Sequence, residues 1–546
     1  MRFQRFVAGV SPSRNPATSL KQALETTVVK QASGAVLAAP LGRDDRRVPR
    51  RVRVYCTVID AIRSGALTPG ARLPSARQLA REWGYARGAV EEAFAQLQIE
   101  GVIERRVGDG SYVAAQGTTA STATRPSAAT RPLSRSAQQV LERFSVYLGK
   151  PRQQELPQVM LTEQALYPRA PLFREFPLET WRRLIARAHG EAYRDHLSYG
   201  PAAGLPRLRE AIARHLALTR ATPVQPQQVI VLNSPTQAVE LLVRVLLEPG
   251  DKVWLEDPGH SSLVSLFEVL RCRVYGVPLD DQGLDVRAGC ERAPDAALAY
   301  FHPVTQYPLG VRTSTERLRE LLCWADDSGA WIVEGNFNDE IVYDRDLPAA
   351  LWSMDESDRV MMMGTFEGIM YPSLRVAYLV VPQRLTEVFV AMRGLLGDST
   401  NAQMQLALAW FIDEGHLATH LRNLRQVGRE RRDALRASCA RHLPDGARLG
   451  PLDGGLLGCI HLPPAWSDRE VVRRLRAREV LAIALSSSCI DPRHGNGLVI
   501  GFGAFDPFTI DRAVTHIGAC LREVAASLAA SRSAVVPSHQ RAGENK

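Results

Sequence analysis

At 546 residues the chain is too long for one hydrophobic core, and its length predicts about three domains. Its formal net charge of +9 is unevenly spread: residues 1–113 hold 18 Lys/Arg against 10 Asp/Glu, residues 114–166 hold 6 against 3, and the remainder is slightly acidic, so a polyanion-binding surface is expected at the front of an ordinary body. Eight cysteines stand singly with no Cys-x-x-Cys pair, which argues against a zinc site or a disulfide framework and fits a reducing cytoplasm.

The opening segment Met1–Val10 is basic, without an apolar run of signal-peptide length, and nothing later approaches the ~20 apolar residues needed to span a bilayer. A soluble, cytoplasmic protein with no membrane partner is expected. Residues 1–48 are weakly patterned and read as a partly disordered extension. From Arg50 the pattern sharpens: Val52, Tyr55, Val58, Ile59 and Ile62 recur at helical spacing until Ser64-Gly65 stops them. After the turn at Thr68-Pro69-Gly70, Ser75 and Gln78 predict a capping box, and the helix that follows turns Leu79, Ala80 and Trp83 inward and ends at Gly84. A third helix runs to about Glu100 on Val90, Ala93, Phe94 and Leu97. Residues 102–113 read as two short strands around the hairpin turn Gly108-Asp109-Gly110. Three helices and a β-hairpin make a winged helix-turn-helix, assigned to residues 49–115.

Residues 116–164 begin with an aperiodic stretch rich in Ala, Thr, Ser, Pro and Arg and read as a linker. Over residues 165–531, apolar runs such as Val229–Leu232, Val253–Leu255, Trp331–Val333 and Ala377–Val381 alternate with helical stretches, which predicts a largely parallel sheet covered by helices. Residues 532–546 read as a polar tail. The fold class expected is a multidomain chain, an α+β winged helix-turn-helix followed by an α/β domain.

The front module resembles the GntR family of transcription regulators through Gly70-Ala-Arg-Leu-Pro-Ser-Ala-Arg-Gln-Leu-Ala80, Ala93–Leu97, Glu100-Gly101 and the Gly-Asp-Gly-Ser-Tyr-Val wing. The resemblance implies that the third helix lies in the major groove of double-stranded DNA and the wing follows the neighbouring backbone. Arg77 and Arg87 match DNA-contacting positions; Arg72, Arg105 and Arg106 add charge, and Ser75, Gly88, Gly108 and Gly110 complete the expected contact set. Where relatives open the reading helix with Ser or Thr, this chain has Ala86-Arg87-Gly88-Ala89, and a lost N-cap costs ~1 kcal/mol.

From about Pro171 to Ala530 the chain resembles the fold-type-I aminotransferase domain of MocR-type GntR regulators, through Phe176–Leu184, Leu197–Ala211, Glu256–Gly259, Gln306–Gly310, Gly364–Phe366 and Tyr371–Arg375. In that family a lysine carries pyridoxal phosphate as a Schiff base. The register places Gly368 at the lysine, Gly335 at the acid that faces the pyridine nitrogen, and Phe337 at the tyrosine that contacts the phenolic oxygen. His260 stands at the ring-stacking aromatic, Thr305 at the histidine of Ser-His-Gln, and Pro235 within the phosphate-binding turn. Thr365 and Arg375 match phosphate ligands. The chain's five lysines are Lys21, Lys30, Lys150, Lys252 and Lys546, all away from that position.

No covalent cofactor is therefore expected. The leading expectation is a DNA-binding regulator, not an enzyme, whose body forms a head-to-tail homodimer and senses a small-molecule effector in a pocket of His260, Thr305, Thr365 and Arg375. One alternative keeps noncovalent pyridoxal phosphate or another phosphorylated metabolite in that pocket; another is a working aminotransferase fused to a DNA-binding head. His416 and His420 have metal-pair spacing but read as structural, Met361–Met363 read as core, and Arg422, Arg425, Arg429, Arg431 and Arg432 read as a solvated helix face.

Overall fold

The computed structural model describes residues 49–106, 108–114, 133–138, 140–141, 165–168, 170, 174–190, 199–343, 350–397 and 399–534. The expected N-terminal extension, most of the linker and the end of the polar tail lie outside the described residues. The chain divides into two compact units, one ending at Pro132 and one beginning at Leu133.

In the first unit, helices α1 (Arg50–Arg63), α2 (Ala76–Trp83) and α3 (Arg87–Ile99) enclose Val58, Leu79, Val90, Phe94 and Leu97, whose spacing predicted them, together with Val54, which it did not, while the expected Val52 is exposed. The hairpin pairs β2 (Ile103–Arg106) with β3 (Gly110–Val113). A further strand, β1 (Arg72–Leu73), pairs with β3 through Arg72 to Tyr112 and Leu73 to Ser111, and two residues are too few to show a strand period. The expected capping box is half formed. Ser75 Oγ accepts the Gln78 N–H at 3.2 Å, but the Gln78 amide donates forward to Glu82 at 2.9 Å, one turn along the same face. Gly84 closes α2 with φ of 65°.

The second unit is built on an eight-stranded sheet in the order β4 (Val229–Leu232), β11 (Ala377–Val380), β10 (Val360–Thr365), β9 (Trp331–Asn336), β8 (Leu298–Phe301), β5 (Lys252–Asp257), β6 (Arg273–Asp280), β7 (Gly283–Leu284). Pairings from β10 through β6 are parallel, while β11 and β7 run against their neighbours. Both faces are covered, so the strands read as continuous apolar runs. Met361 and Met363 pack into one core and Met362 into the other, as strand alternation requires. A four-stranded antiparallel sheet, β12 (Arg448–Leu449), β13 (Leu457–His461), β15 (Gly497–Gly501) and β14 (Ile483–Ala484), completes the unit.

Helices of this unit that bear on the site are α4 (Pro206–Arg220), α5 (Pro235–Leu246), α6 (Thr386–Leu395), α7 (His416–His442) and α8 (Pro507–Ala534). Two expectations are corrected here. Residues 135–138 are helical inside the assigned linker, with the Ala137 N–H on Ser134 Oγ, and α8 runs to Ala534, past the expected start of the tail. The arginines of α7 are only in part a solvated face, with Arg422 and Arg429 exposed. Arg431 and Arg432 are buried, and Arg425, Arg429 and Arg431 donate to the carbonyls of Glu340, Tyr343 and Gly503, while Arg432 lies over the Tyr343 ring. Guanidinium forks here satisfy loop carbonyls that no strand or helix partners.

Candidate functional sites

Two faces carry chemistry. On the head, Arg87 is the first residue of α3, and Ala86 ahead of it provides no side-chain cap. Arg77, Arg87, Gly88, Arg105, Arg106, Gly108 and Gly110 are all exposed on the described surface, as a DNA face requires. Several of these cations already have partners. Glu91 on α3 accepts from Arg105 at 2.8 Å and lies 3.7 Å from Arg87, tying the wing to the start of that helix. Arg72 donates to the Asp109 carbonyl and packs against Gly110, so it braces the wing tip. Gly108 and Gly110 have φ of 79° and 128°, conformations that favour glycine at this turn. Arg106 lies 4.6 Å from the Tyr112 ring centroid. Glu91 is the functional neighbour that motif reading passed over, although its i,i+4 spacing from Arg87 was visible.

The second face lies where β5, β8, β9 and β10 end. A Cβ placed on Gly368 would fall inside the van der Waals shell of the Asn338 amide oxygen, so any side chain there requires Asn338 to turn aside. A Cβ on Gly335 would stand 2.7 Å from His302 Cδ2 and 2.8 Å from Nε2. His302 is buried, with its backbone N–H on Glu256 Oε1 at 3.1 Å, Nδ1 2.9 Å from Glu256 Oε2 and Nε2 3.3 Å from the Tyr300 hydroxyl. His260 stacks on Tyr307 at 4.0 Å and meets His302 edge-on, and Phe337 lies 5.1 Å from the His302 ring.

Of the four expected pocket residues, the structure turns some toward other work. Thr305 Oγ1 is 2.8 Å from both the Phe337 carbonyl and Asp339 Oδ1. Thr365 Oγ1 accepts the Glu367 N–H at 3.2 Å. The Arg375 side chain is 59% exposed and pairs with Glu367 Oε1 at 3.4 Å, so it is not a structural arginine buried beneath the pocket. At the start of α5, Ser234 Oγ accepts the Gln237 N–H, Gln237 Oε1 accepts the Asn233 N–H, and Pro235 has no N–H to give. His416 and His420 do not converge: His420 Nε2 is 2.7 Å from the Ile369 carbonyl, and His416 faces Glu414 at 3.5 Å.

Beneath the pocket, Arg220 from α4 bonds Glu334 at 2.8 Å and Asp339 at 2.9 Å, all three buried. Burial drives both carboxyls up, Glu334 to about 7 and Asp339 to about 6, against the pull of Arg220. Glu340 is pushed up by burial, but contact with His215 at 3.5 Å outweighs this and holds it low. Sequence reading missed this cluster, since Arg220 closes a helix far from the motif that carries Glu334.

Pyridoxal phosphate, the group implied by the body's fold, does not fit these residues. It would need an amine at Gly368, an acid at Gly335, a hydroxyl at Phe337 and free N–H groups at the α5 turn. Instead an amide, an imidazole and internal hydrogen bonds occupy those positions.

Comparison with known proteins agrees with this two-part architecture. Residues 50–113 match the model of bacterial regulatory proteins of the gntR family, and residues 170–517 match that of aminotransferase class I and II. The probable rhizopine catabolism regulatory protein MocR of Rhizobium meliloti is 30% identical over 480 residues, covering 87% of this chain and 94% of the relative. The HTH-type pyridoxine biosynthesis transcriptional regulator PdxR of Corynebacterium glutamicum is 30% identical over 460 residues, covering 83% and 92%. A multiple substrate aminotransferase from Thermococcus profundus superposes with a TM-score of 0.64 at 23% identity, over 71% of this chain and 99% of that one, which shows the body's fold. The chain belongs to the MocR-type regulators of the GntR family, DNA-binding transcription regulators in which a winged helix-turn-helix precedes an aminotransferase-like domain.

Proposed function

We propose that this regulator works as a homodimer, reads double-stranded DNA with paired heads, and performs no aminotransferase chemistry. The observation that carries the last point is Gly368, which has no amine at the position the resemblance assigns to the lysine and has the Asn338 amide beside it. Lys252, the one lysine among the described residues, opens β5 at the strand end opposite Asp257, roughly 17 Å away at ~3.3 Å per residue, and is bound to Asp295 at 2.6 Å. Dimerisation is supported by two exposed apolar side chains on segments that touch. Leu395 is 81% exposed and Tyr199 97%, and the two segments meet where Arg393 donates to the Ala202 carbonyl at 3.1 Å. An effector acts on such a dimer by favouring one arrangement of the heads, which requires unequal affinity for the two. A second reading, noncovalent capture of a phosphorylated metabolite at Thr365 and Arg375, is favoured by the exposed guanidinium of Arg375.

Two measurements test the proposal. Borohydride reduction in the presence of pyridoxal phosphate, followed by mass spectrometry, is expected to leave no single-site adduct; a stoichiometric pyridoxyl-lysine overturns it. Arg77→Ala and Arg87→Ala are each expected to weaken binding to the DNA upstream of the protein's own coding region, and unchanged affinity in both would show that α3 is not the reading helix.

A further inference from the structure

We infer that His302 is a built-in occupant of the slot beside Gly335, where the family's pyridine-facing acid would stand, and that it closes the body to pyridoxal phosphate, free as well as covalent. The inference rests on the non-enzymatic reading above and deepens it. The imidazole stands where the side chain of residue 335 would begin, 2.7–2.8 Å from the place of a Cβ, so ring and acid exclude each other. It is walled by His260, Phe337 and Tyr300, with ring centroids at 5.4, 5.1 and 5.2 Å. Two of these walls, His260 and Phe337, stand at positions that the family resemblance assigned to contacts with the cofactor's ring system.

The imidazole is held there and does not merely drift into space. Both ring nitrogens have partners, Glu256 and Tyr300, and its own backbone N–H is fixed to the same Glu256 carboxylate. A carboxylate only accepts, so Nδ1 carries a proton and the ring orientation is set. Other groups of the chain stand at the rest of the pocket, although Asn338 Oδ1 and Glu367 Oε1 make no hydrogen bond there. Asn338 stands beside Gly368, the α5 turn bonds to itself through Ser234 and Gln237, and Glu367 pairs with the remaining cation, Arg375. Aldehyde, pyridine nitrogen and phosphate of a cofactor would each meet a group of the chain itself. A void left by removing His302 would have the shape of the removed ring.

The test uses the full-length protein. Titration with pyridoxal phosphate, followed by absorbance and melting temperature, is expected to show no saturable change in the wild type; saturable binding without a borohydride-trapped adduct overturns this inference while leaving the proposed absence of chemistry intact, whereas a trapped adduct overturns both. His302→Gly is expected to lower the melting temperature, and added imidazole to restore much of the loss. Wild-type melting in that variant would show that the ring is not the filler. Gly335→Ala gives an independent check on the contact: its cost is expected to shrink when combined with His302→Gly, and additive costs in the double variant overturn the assignment.

Discussion

Arg220 serves two buried carboxylates with one guanidinium, so the cluster cannot be neutral with both acids ionised. Glu334 and Asp339 keep protons up to about 7 and about 6, while an unfolded chain would release them near 4.5 and 3.8. The pair titrates together. The folded chain thus binds more protons than the unfolded chain across that window, so this contribution is complete below about pH 4 and is lost as pH rises to about 7. Glu340, held low, works in the opposite sense and loses its contribution as pH falls. Glu334→Gln removes the larger shift and leaves a neutral hydrogen-bonding group beside Arg220. Its stability relative to wild type is expected to rise between pH 5 and pH 8 by on the order of 1–3 kcal/mol. Thermal melts at the two pH values check this, and an equal difference at both would mean that Glu334 is ionised throughout.

On α3, the expected reading helix, the balance of charge is decided by one acid. Glu91 bridges Arg87 and Arg105, and DNA phosphates must compete with it for both. An exposed ion pair is worth about 0–1 kcal/mol, so phosphate can win, but part of its gain is lost in breaking the bridge. Glu91→Gln is expected to tighten DNA binding several-fold and steepen its salt dependence, measured by fluorescence anisotropy over a salt series; weaker binding would mean that Glu91 positions Arg105 for its contact. The same element shows what was legible in sequence. Helical spacing and turn glycines are local signals, and they located all three helices and the wing of the head. They could not locate β1, which is two residues long, nor the direction taken by the Gln78 amide. In the body, the family resemblance assigns Gly368, Gly335 and Phe337 to cofactor positions because the substitutions lie inside matched text. The groups nearest those glycines, Asn338 and His302, belong to other segments, and no motif joins them to the glycines they face. Likewise Arg431 and Arg432 read as solvated because the carbonyl and ring that hold them come from other elements.

At the scale of the whole molecule, a head of this size makes few base contacts, so tight and selective binding depends on two heads acting together on paired half-sites. The proposed dimer then has an energetic role even with no chemistry in its body. If the surface around Leu395 and Tyr199 is its seat, a charge placed there must be desolvated on association and will oppose it, whereas in the monomer it remains in water. Leu395 is exposed, so Leu395→Glu is expected to leave the melting transition of the body nearly unchanged while shifting sedimentation from dimer toward monomer. Affinity for DNA with two half-sites should then fall by about 10–100-fold, in the range that linking two modules provides, and affinity for a single half-site should stay as it was. A variant that remains dimeric places the interface elsewhere on the body. A variant that turns monomeric yet binds both DNAs like wild type would show that each head reads its operator alone, and the aminotransferase-like fold would then need a role other than bringing the heads together.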